Sequence, residues 1–307
     1  MMGGAKETGS ILVLSLWSAS IFSILLLSLA FQTSIQLELT KAEWNEFEGR
    51  WELISGLNTA SLVIASDEDP YNDSPQDGWS GELKVSTPWN DRFSIYVEDE
   101  ESKLNLNLAG EKLLTALFEK LGAQRGIFFK EDVKDIVKNL LKWRGDKKNQ
   151  RFDFLDEVLL IEGVEKDDFE AFKPYVTVVG DATAFPAVNV NTVLPPVLEA
   201  IIQSLPGDSL RKKELLERIL SMRTAIGNEP SPLQKEELVP NLFLAKLKIT
   251  PTIEMVSLAN QLVPYLATDS SYFHLRIQLK GKPKKSEAII RQSGDSLYPS
   301  ILYWNEE

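Results

Sequence analysis

The chain has 307 residues, 43% hydrophobic and 25% charged, which is the composition of a globular protein. Its 33 Lys and Arg against 45 Asp and Glu give a formal charge of −12, which disfavours nucleic acid as a partner because phosphate binding needs clustered basic side chains. With no cysteine and one histidine, His274, the sequence excludes disulfides, thiolate metal sites and any site that needs two imidazoles.

The first element is an apolar run without charge, residues 10–35. It is long enough to span a bilayer, which needs roughly 20 apolar residues. Three interpretations remain open: a secretory signal cut after Ala30, an uncut signal anchor, or a short leader cut after Gly9 that leaves the helix in the mature protein. The acidic residues that follow the run favour a body outside the cytoplasm.

The helical pattern continues beyond the run. No proline occurs between residues 10 and 69, and Trp44, Phe47, Trp51, Ile54 and Leu62 recur at helical spacing. We therefore predict one helix of about 50 residues, apolar on all sides and then amphipathic. A cleaved signal does not need this continuation. The continued helix therefore favours cleavage after Gly9. We expect Trp44, Phe47 and Trp51 to pack on a sheet rather than to form a partner surface.

The rest of the chain alternates between strand and helix patterns. An acidic loop at 66–81 precedes strand patterns at 81–86 and 92–98, which a turn at 88–91 joins. Helical periodicity then covers residues 111–122, 130–143, 154–164, 166–176, 194–205 and 209–223. Strand patterns return at 272–280, 286–292 and 299–304. This order predicts an α+β fold in which an antiparallel sheet packs on the N-terminal helix and carries an inserted helical domain. The two helical clusters are only loosely alike.

Residues with catalytic potential are few and unspecific. The neighbouring carboxylates Asp156 and Glu157 are one of many such pairs in an acidic chain, and His274 lies in a predicted strand. The segment around Gly163 resembles half of a helix-hairpin-helix, but Asp167 and Asp168 would repel phosphate, so we interpret it as structural. We expect no enzyme and no nucleic-acid binding.

The acidic loop offers hard oxygen ligands of the kind that calcium prefers, at Asp67, Asp69, Asp73 and Asp77. The spacing is not that of an EF-hand. A solvated loop without metal is the alternative interpretation.

Several segments resemble general secretion pathway protein K, the largest minor pseudopilin of the type II secretion system. They are VEDEESKLNLN (97–107), LLKWRGDKK (140–148), residues 154–181, VNVNT (188–192) and SSYFHLRIQL (270–279). The acidic loop also lies where that family has one. Each motif is short, but the set runs through the whole chain in the family's order.

The resemblance extends to the leader. Pilin-like proteins are cut by a prepilin peptidase after a glycine, here Gly9, and the new N-terminus, here Ser10, is methylated. Most pilins carry glutamate at the fifth mature position, whereas protein K members and this chain lack it; the position is Leu14 here. The leader departs from the usual pattern because Glu7 and Thr8, rather than a basic residue, precede the glycine.

The resemblance implies a pilin-like fold whose domains are a leader (1–9), a transmembrane helix (10–35), a helix with the first strands (36–100), a helical SAM-like or helix-hairpin-helix-like insertion (101–245) and returning strands (246–307). It implies a non-catalytic protein at the pseudopilus tip, anchored by one span in the inner membrane with its body in the periplasm. Expected partners are minor pseudopilins I, J and H, the major pseudopilin G and the prepilin peptidase. Leu14, Trp17, Phe22 and Leu26 would face lipid and then partner helices. Calcium is the one cofactor that the resemblance suggests.

Two other hypotheses remain. The first is a periplasmic scaffold or binding protein held by a plain signal anchor. The second is a secreted hydrolase that uses carboxylates, which would start at Phe31 after cleavage.

Overall fold

The computed structural model describes residues 5–83, 92–125, 133–145, 151–181, 185–223, 232–292 and 299–307. The predicted turn at 88–91 lies outside the described residues, as do residues 84–86 of the first predicted strand and 130–132 of the second predicted helix. Contacts divide the chain into two units, residues 1–54 and 55–307. Helix α1 is continuous over Ala5–Ala65, which confirms the prediction of one long N-terminal helix.

An antiparallel five-stranded sheet forms in the second unit. Its strands are β1 (Gly81–Glu82), β2 (Phe93–Asp99), β7 (Tyr272–Leu279), β8 (Lys285–Arg291) and β9 (Ser300–Glu306), hydrogen-bonded in that order. The predicted antiparallel sheet is therefore confirmed. Alternate residues of β2, β7 and β8 are buried, as expected of a sheet with one packed face.

The last turns of α1 pack on this sheet. Leu57, Ala60 and Ile64 are buried, and a Cβ added at Gly56 would lie 2.8 Å from Cγ2 of Ile277 on β7. Glycine therefore allows the helix backbone to approach the strand closely at this point.

The aromatic residues of α1 are not in the core, so the prediction for them was wrong. Trp44, Phe47 and Trp51 are 65%, 53% and 53% exposed and contact one another along the helix. The first buried apolar side chain of α1 is Leu53, which lies about 200° around the helix from Trp51, since each residue turns an α-helix by about 100°. The aromatic stripe and the buried stripe are thus on different sides of α1.

Between β2 and β7 the chain forms seven further α-helices and four two-residue strands in its described part. The helices are α2 (Glu111–Arg125), α3 (Val133–Arg144), α4 (Lys166–Phe172), α5 (Pro195–Ser204), α6 (Ser209–Arg223), α7 (Pro240–Lys246) and α8 (Ile253–Leu262). The strands form two parallel pairs, β3 (Leu104–Asn105) with β4 (Val176–Thr177) and β5 (Val188–Asn189) with β6 (Leu266–Ala267). The buried leucine, isoleucine, valine and phenylalanine side chains of these helices share one hydrophobic core.

Two predictions differ from these elements. Residues 154–164 do not form an α-helix: a 3₁₀ helix covers Leu155–Leu160, and Gly163 at φ 93° then turns the chain away before α4 begins. After α4, residues 173–175 form a 3₁₀ turn, because Pro174 lacks the amide hydrogen that a continued α-helix would need.

The helical region contains two equivalent halves, although their sequences are only loosely alike. Each half begins with an Asn-X-Asn segment on a short strand, Asn105 to Asn107 and Asn189 to Asn191. Each ends with a Pro-Tyr 3₁₀ turn that leads into the parallel partner strand. The two helices that follow the asparagine segments, α2 and α5, pack against each other.

The asparagines of the two halves have matching hydrogen bonds. The side chain of Asn107 accepts from the amide of Phe152 (2.8 Å) and donates to its carbonyl (3.0 Å). Asn191 does the same with Leu233, at 2.8 and 3.1 Å. In both halves the first asparagine accepts from the amide of the second. Each Asn-X-Asn segment therefore fixes a distant loop to the start of its helical half.

Candidate functional site

The acidic loop begins where α1 ends, and a buried tryptophan holds it against the sheet. Trp79 is 1% exposed, and its ring packs edge-on against Phe273 of β7 with 5.0 Å between the centroids. Its indole Nε1 donates to Oδ2 of Asp67 at 3.0 Å. Trp79 thus fixes the position of the Asp67 carboxylate.

Asp73 is held by the chain segment that enters β7. Its amide donates to the carbonyl of Thr268 (2.7 Å), and its Oδ2 accepts from the amide of Ser270 (2.6 Å). Asp77 accepts from the amide and hydroxyl of Ser74, at 2.6 and 2.9 Å, in a local turn. Both carboxylates therefore have fixed orientations.

Three of the four predicted calcium ligands come together. Asp67, Asp73 and Asp77 each offer a carboxylate oxygen, and these oxygens lie within 4.8 Å of one another. Asp69 is not part of this group, and its two oxygens accept from the side-chain amide of Asn72 at 3.1 and 3.0 Å.

The electrostatics of the group favour a bound cation. Burial raises the pKa of Asp73 to about 8, against the hydrogen bond from Ser270, and the neighbouring carboxylates raise it further. Burial also raises the pKa of Asp77. A divalent cation would neutralise this repulsion, and carboxylate oxygens are the ligands that calcium prefers. The group thus offers three of the roughly six to eight oxygens that calcium takes.

A second pair of carboxylates, the buried Asp99 and the half-buried Glu101, lies near this group, and we did not predict it from the sequence. Asp99 accepts from the hydroxyls of Ser270 (2.7 Å) and Thr192, and burial raises its pKa to about 6. Glu101 accepts from the amide of Ser271 at 2.6 Å, and burial raises its pKa to about 8. Ser270 joins the two groups, because its amide binds Asp73 and its hydroxyl binds Asp99. The sequence signal was the acidic run at 97–101, which entered only as part of the family resemblance.

The remaining candidates for acid–base chemistry have local roles in the structure. Glu157 accepts from the amides of Asp153 and Phe154, at 2.9 and 2.8 Å, and so caps the 3₁₀ helix rather than forming a working pair with Asp156. His274 lies between Glu98 and Glu287, at 3.6 and 4.0 Å, and its Nδ1 has no hydrogen-bond partner among the described residues.

The N-terminal helix is long and apolar enough to cross a membrane. Its most apolar window has a mean hydropathy of 2.2 and no buried residue. Leu14, Trp17, Phe22 and Leu26 are between 66% and 71% exposed. Gly9 and Ser10 belong to the continuous helix α1.

Comparisons with known proteins identify the fold. No family model matches the chain, and no curated protein matches its sequence. The fold is similar to a chain in the crystal structure of the GspK-GspI-GspJ complex from the enterotoxigenic Escherichia coli type 2 secretion system. The TM-score is 0.56 at 18% sequence identity, and the match covers 90% of this chain and 99% of the other. The predicted α+β, pilin-like fold is thereby confirmed.

Proposed function

We propose that this chain is a minor pseudopilin of a type II secretion system and acts as an assembly protein rather than an enzyme. The observation that carries the proposal is the fold match, which extends over nearly the whole of both chains. The ordered motifs that resemble protein K support it independently, since a fold alone does not define a function.

Within this proposal the protein caps the tip of the pseudopilus together with minor pseudopilins I and J. The helical region between β2 and β7 supports this role, because it adds a bulk that a repeating filament subunit does not need. Leu14 supports it as well. A buried glutamate there would pair with the amino group of a neighbouring subunit, and leucine offers no such pairing.

Processing at Gly9 is part of the proposal. It predicts an inner-membrane protein whose body lies in the periplasm and whose first mature residue is a methylated Ser10. The test is mass spectrometry of the N-terminus after co-expression with a prepilin peptidase. A start at methylated Ser10 supports the proposal, whereas a start at Phe31 contradicts it.

An intact Met1 would favour the second candidate, a scaffold held by a plain signal anchor. This candidate remains because Glu7 and Thr8 stand where the usual leader has a basic residue. The two candidates also differ in partners. A tagged full-length chain, extracted in mild detergent, should capture co-expressed I and J if it belongs to the tip, and neither of them if it is an unrelated scaffold.

We further propose that Asp67, Asp73 and Asp77 bind calcium and so fix the acidic loop to the sheet. Calcium should raise the melting temperature of the full chain, because a ligand that binds only the folded state stabilises it. Asp73→Asn should abolish this rise, and Asp69→Asn should keep it, because Asp69 lies outside the group. A rise that survives Asp73→Asn would contradict the site.

A further inference from the structure

A cleft lies on the side of the sheet that faces away from α1. Its floor includes Tyr96, Glu287 and Tyr303 from strands β2, β8 and β9, and its wall includes Phe154 and Asp156 from the segment before α4. Its volume is about 890 Å³. That volume is within the range of ligand sites, about 300–1,000 Å³, and holds several residues of a peptide.

The cleft carries more negative than positive charge. Seven carboxylates and four basic side chains line it. Three of the bases are already engaged: Arg276 pairs with Glu98 at 2.6 Å, Lys103 pairs with Glu100 at 2.7 Å, and Lys173 lies over the ring of Phe169.

Three of the carboxylates are not held by a lysine or an arginine, and one of them, Glu287, lies 4.0 Å from Nε2 of His274. Within the described part of the chain, Asp153, Asp156 and Glu287 form no ion pair with a lysine or arginine. Burial raises the pKa of the Tyr303 hydroxyl, and the negative charges of Asp156 and Glu287 raise it further. Both carboxylates therefore lie near the Tyr303 hydroxyl, and both line the cleft. Phe154, 56% exposed, adds an apolar surface on which the stem of a basic side chain can pack.

Among the residues that the structure describes, one edge of strand β9 pairs with no other strand, and this edge adjoins these carboxylates. Strand β9 is an outer strand of the sheet, and residues 300–304, SILYW, carry neither charge nor proline. Natural proteins usually protect such an edge with lysine, proline or a covering segment. Ile301 and Leu302 are 53% and 45% exposed.

A register shift brings the edge and the cleft together. Ile290 lies opposite Ile301 and Ile289 lies opposite Tyr303, so Leu302 is an extra residue of β9. Leu302 and Tyr303 both line the cleft as a result.

We propose that this cleft binds an extended, basic polypeptide segment of a partner protein, which pairs with the free edge of β9 and places lysine or arginine side chains against Asp156 and Glu287. The edge supplies main-chain hydrogen bonds, and the carboxylates select positive side chains. The net charge of −12 attracts such a segment from a distance. The site is independent of the pseudopilin role.

The test is fluorescence anisotropy with the full chain in an uncharged detergent. The probe is a fluorescein-labelled heptapeptide that alternates valine and lysine. The first control peptide has glutamate in place of lysine, and the second has N-methyl groups on alternate backbone amides. The lysine peptide should bind at least tenfold more tightly than either control. Equal binding of the glutamate peptide would overturn the charge selection, and equal binding of the N-methyl peptide would overturn the strand pairing.

Variants of the chain locate the binding. Asp156→Asn combined with Glu287→Gln should weaken binding of the lysine peptide at least tenfold. Glu119→Gln combined with Glu170→Gln removes the same charge from exposed helix positions outside the cleft and should change the affinity less than twofold. Circular dichroism would confirm that both variants are folded. Equal weakening by the two pairs, or no binding by the unaltered chain, would overturn the proposal.

Discussion

Asp73, Asp99 and Glu101 are carboxylates with raised pKa values, and the stability of the protein should depend on pH because of them. Their pKa values are about 8, 6 and 8 in the folded chain, against about 4 when unfolded. The folded state therefore binds more protons between pH 4 and pH 8, and stability must fall as the pH rises through that window.

We expect the melting temperature in excess chelator to decrease steadily from pH 5 to pH 8. Saturating calcium should flatten the decrease, because a bound cation stabilises the ionised form of Asp73. Differential scanning calorimetry across this range measures both effects. A melting temperature that rises with pH in chelator would contradict the raised pKa values of these three carboxyl groups.

Asn107 and Asn191 should be the most costly of the polar side chains in the helical region to replace. Asn191 is 2% exposed and holds both backbone groups of Leu233. We expect Asn191→Ala to lower the free energy of unfolding by about 2–3 kcal/mol, because it leaves a buried donor and acceptor unpaired. Asn139→Ala should cost less than about 1 kcal/mol, since its one hydrogen bond, to Glu162, is exposed. Urea unfolding of the full chain makes the comparison, and equal losses would contradict it.

At the scale of elements, the contact between α1 and β7 depends on the missing side chain of Gly56. Alanine favours a helix by about 1 kcal/mol over glycine. At Gly56 the new methyl group would meet Cγ2 of Ile277, a stiff and buried side chain, at 2.8 Å. Overpacking of this kind costs about 1–3 kcal/mol.

We therefore expect Gly56→Ala to destabilise the chain by a net amount of up to about 2 kcal/mol, despite the gain in helix propensity. Asn58→Ala, at an exposed position of the same helix, should be neutral or slightly stabilising. Thermal unfolding separates the two substitutions. A more stable Gly56→Ala variant would mean that the helix does not approach the strand so closely.

The exposed aromatic stripe of α1 should matter for partners rather than for folding. Exposed apolar groups of this size commonly mark interaction surfaces. Replacing Trp44, Phe47 and Trp51 together by alanine should change stability by less than about 0.5 kcal/mol per residue. It should nevertheless reduce the capture of co-expressed pseudopilins I and J at least fivefold. Glu43→Ala, on the same part of the helix, is the control, and equal capture by the two variants would contradict the role.

The sequence predicted elements well where local periodicity was sufficient. The bounds of α6 agree with the predicted 209–223, and the three returning strands differ by one or two residues at their ends. Helices α7 and α8 were missed, although each has a signal that marks a helix start, as α5 has at Pro195. Pro240 occupies the first position of α7, where a missing amide hydrogen costs nothing, and Pro251 precedes the cap residue Thr252 of α8. The parallel strand pairs are too short to leave a pattern.

The candidate cation site could be predicted in part because its carboxylates are close together in the sequence. Asp67, Asp73 and Asp77 lie within eleven residues of sequence, roughly one loop's length, so composition alone suggested them. Asp99, Ser270 and Thr192 reach the same region from distant parts of the chain, and no local spacing indicates it. Only the fold reveals that network.

At the scale of the whole molecule, residues 10–35 should decide where the protein resides. The full chain should remain with membranes after alkaline carbonate extraction, because its apolar side chains there are exposed. A chain that lacks residues 1–35 should move to the soluble fraction with the same melting temperature for its body. Release of the full chain by carbonate would favour the secreted-hydrolase hypothesis over both anchored ones.

The pairing of β2 with β7 has an evolutionary consequence. Asp99, the last residue of β2, lies opposite Phe273, so the chain leaves the sheet and returns to it at neighbouring points. A hairpin turn could replace everything between them without moving a strand. Such a fold can acquire a large module in one genetic insertion, and the two matching halves of that module are what a tandem duplication would produce.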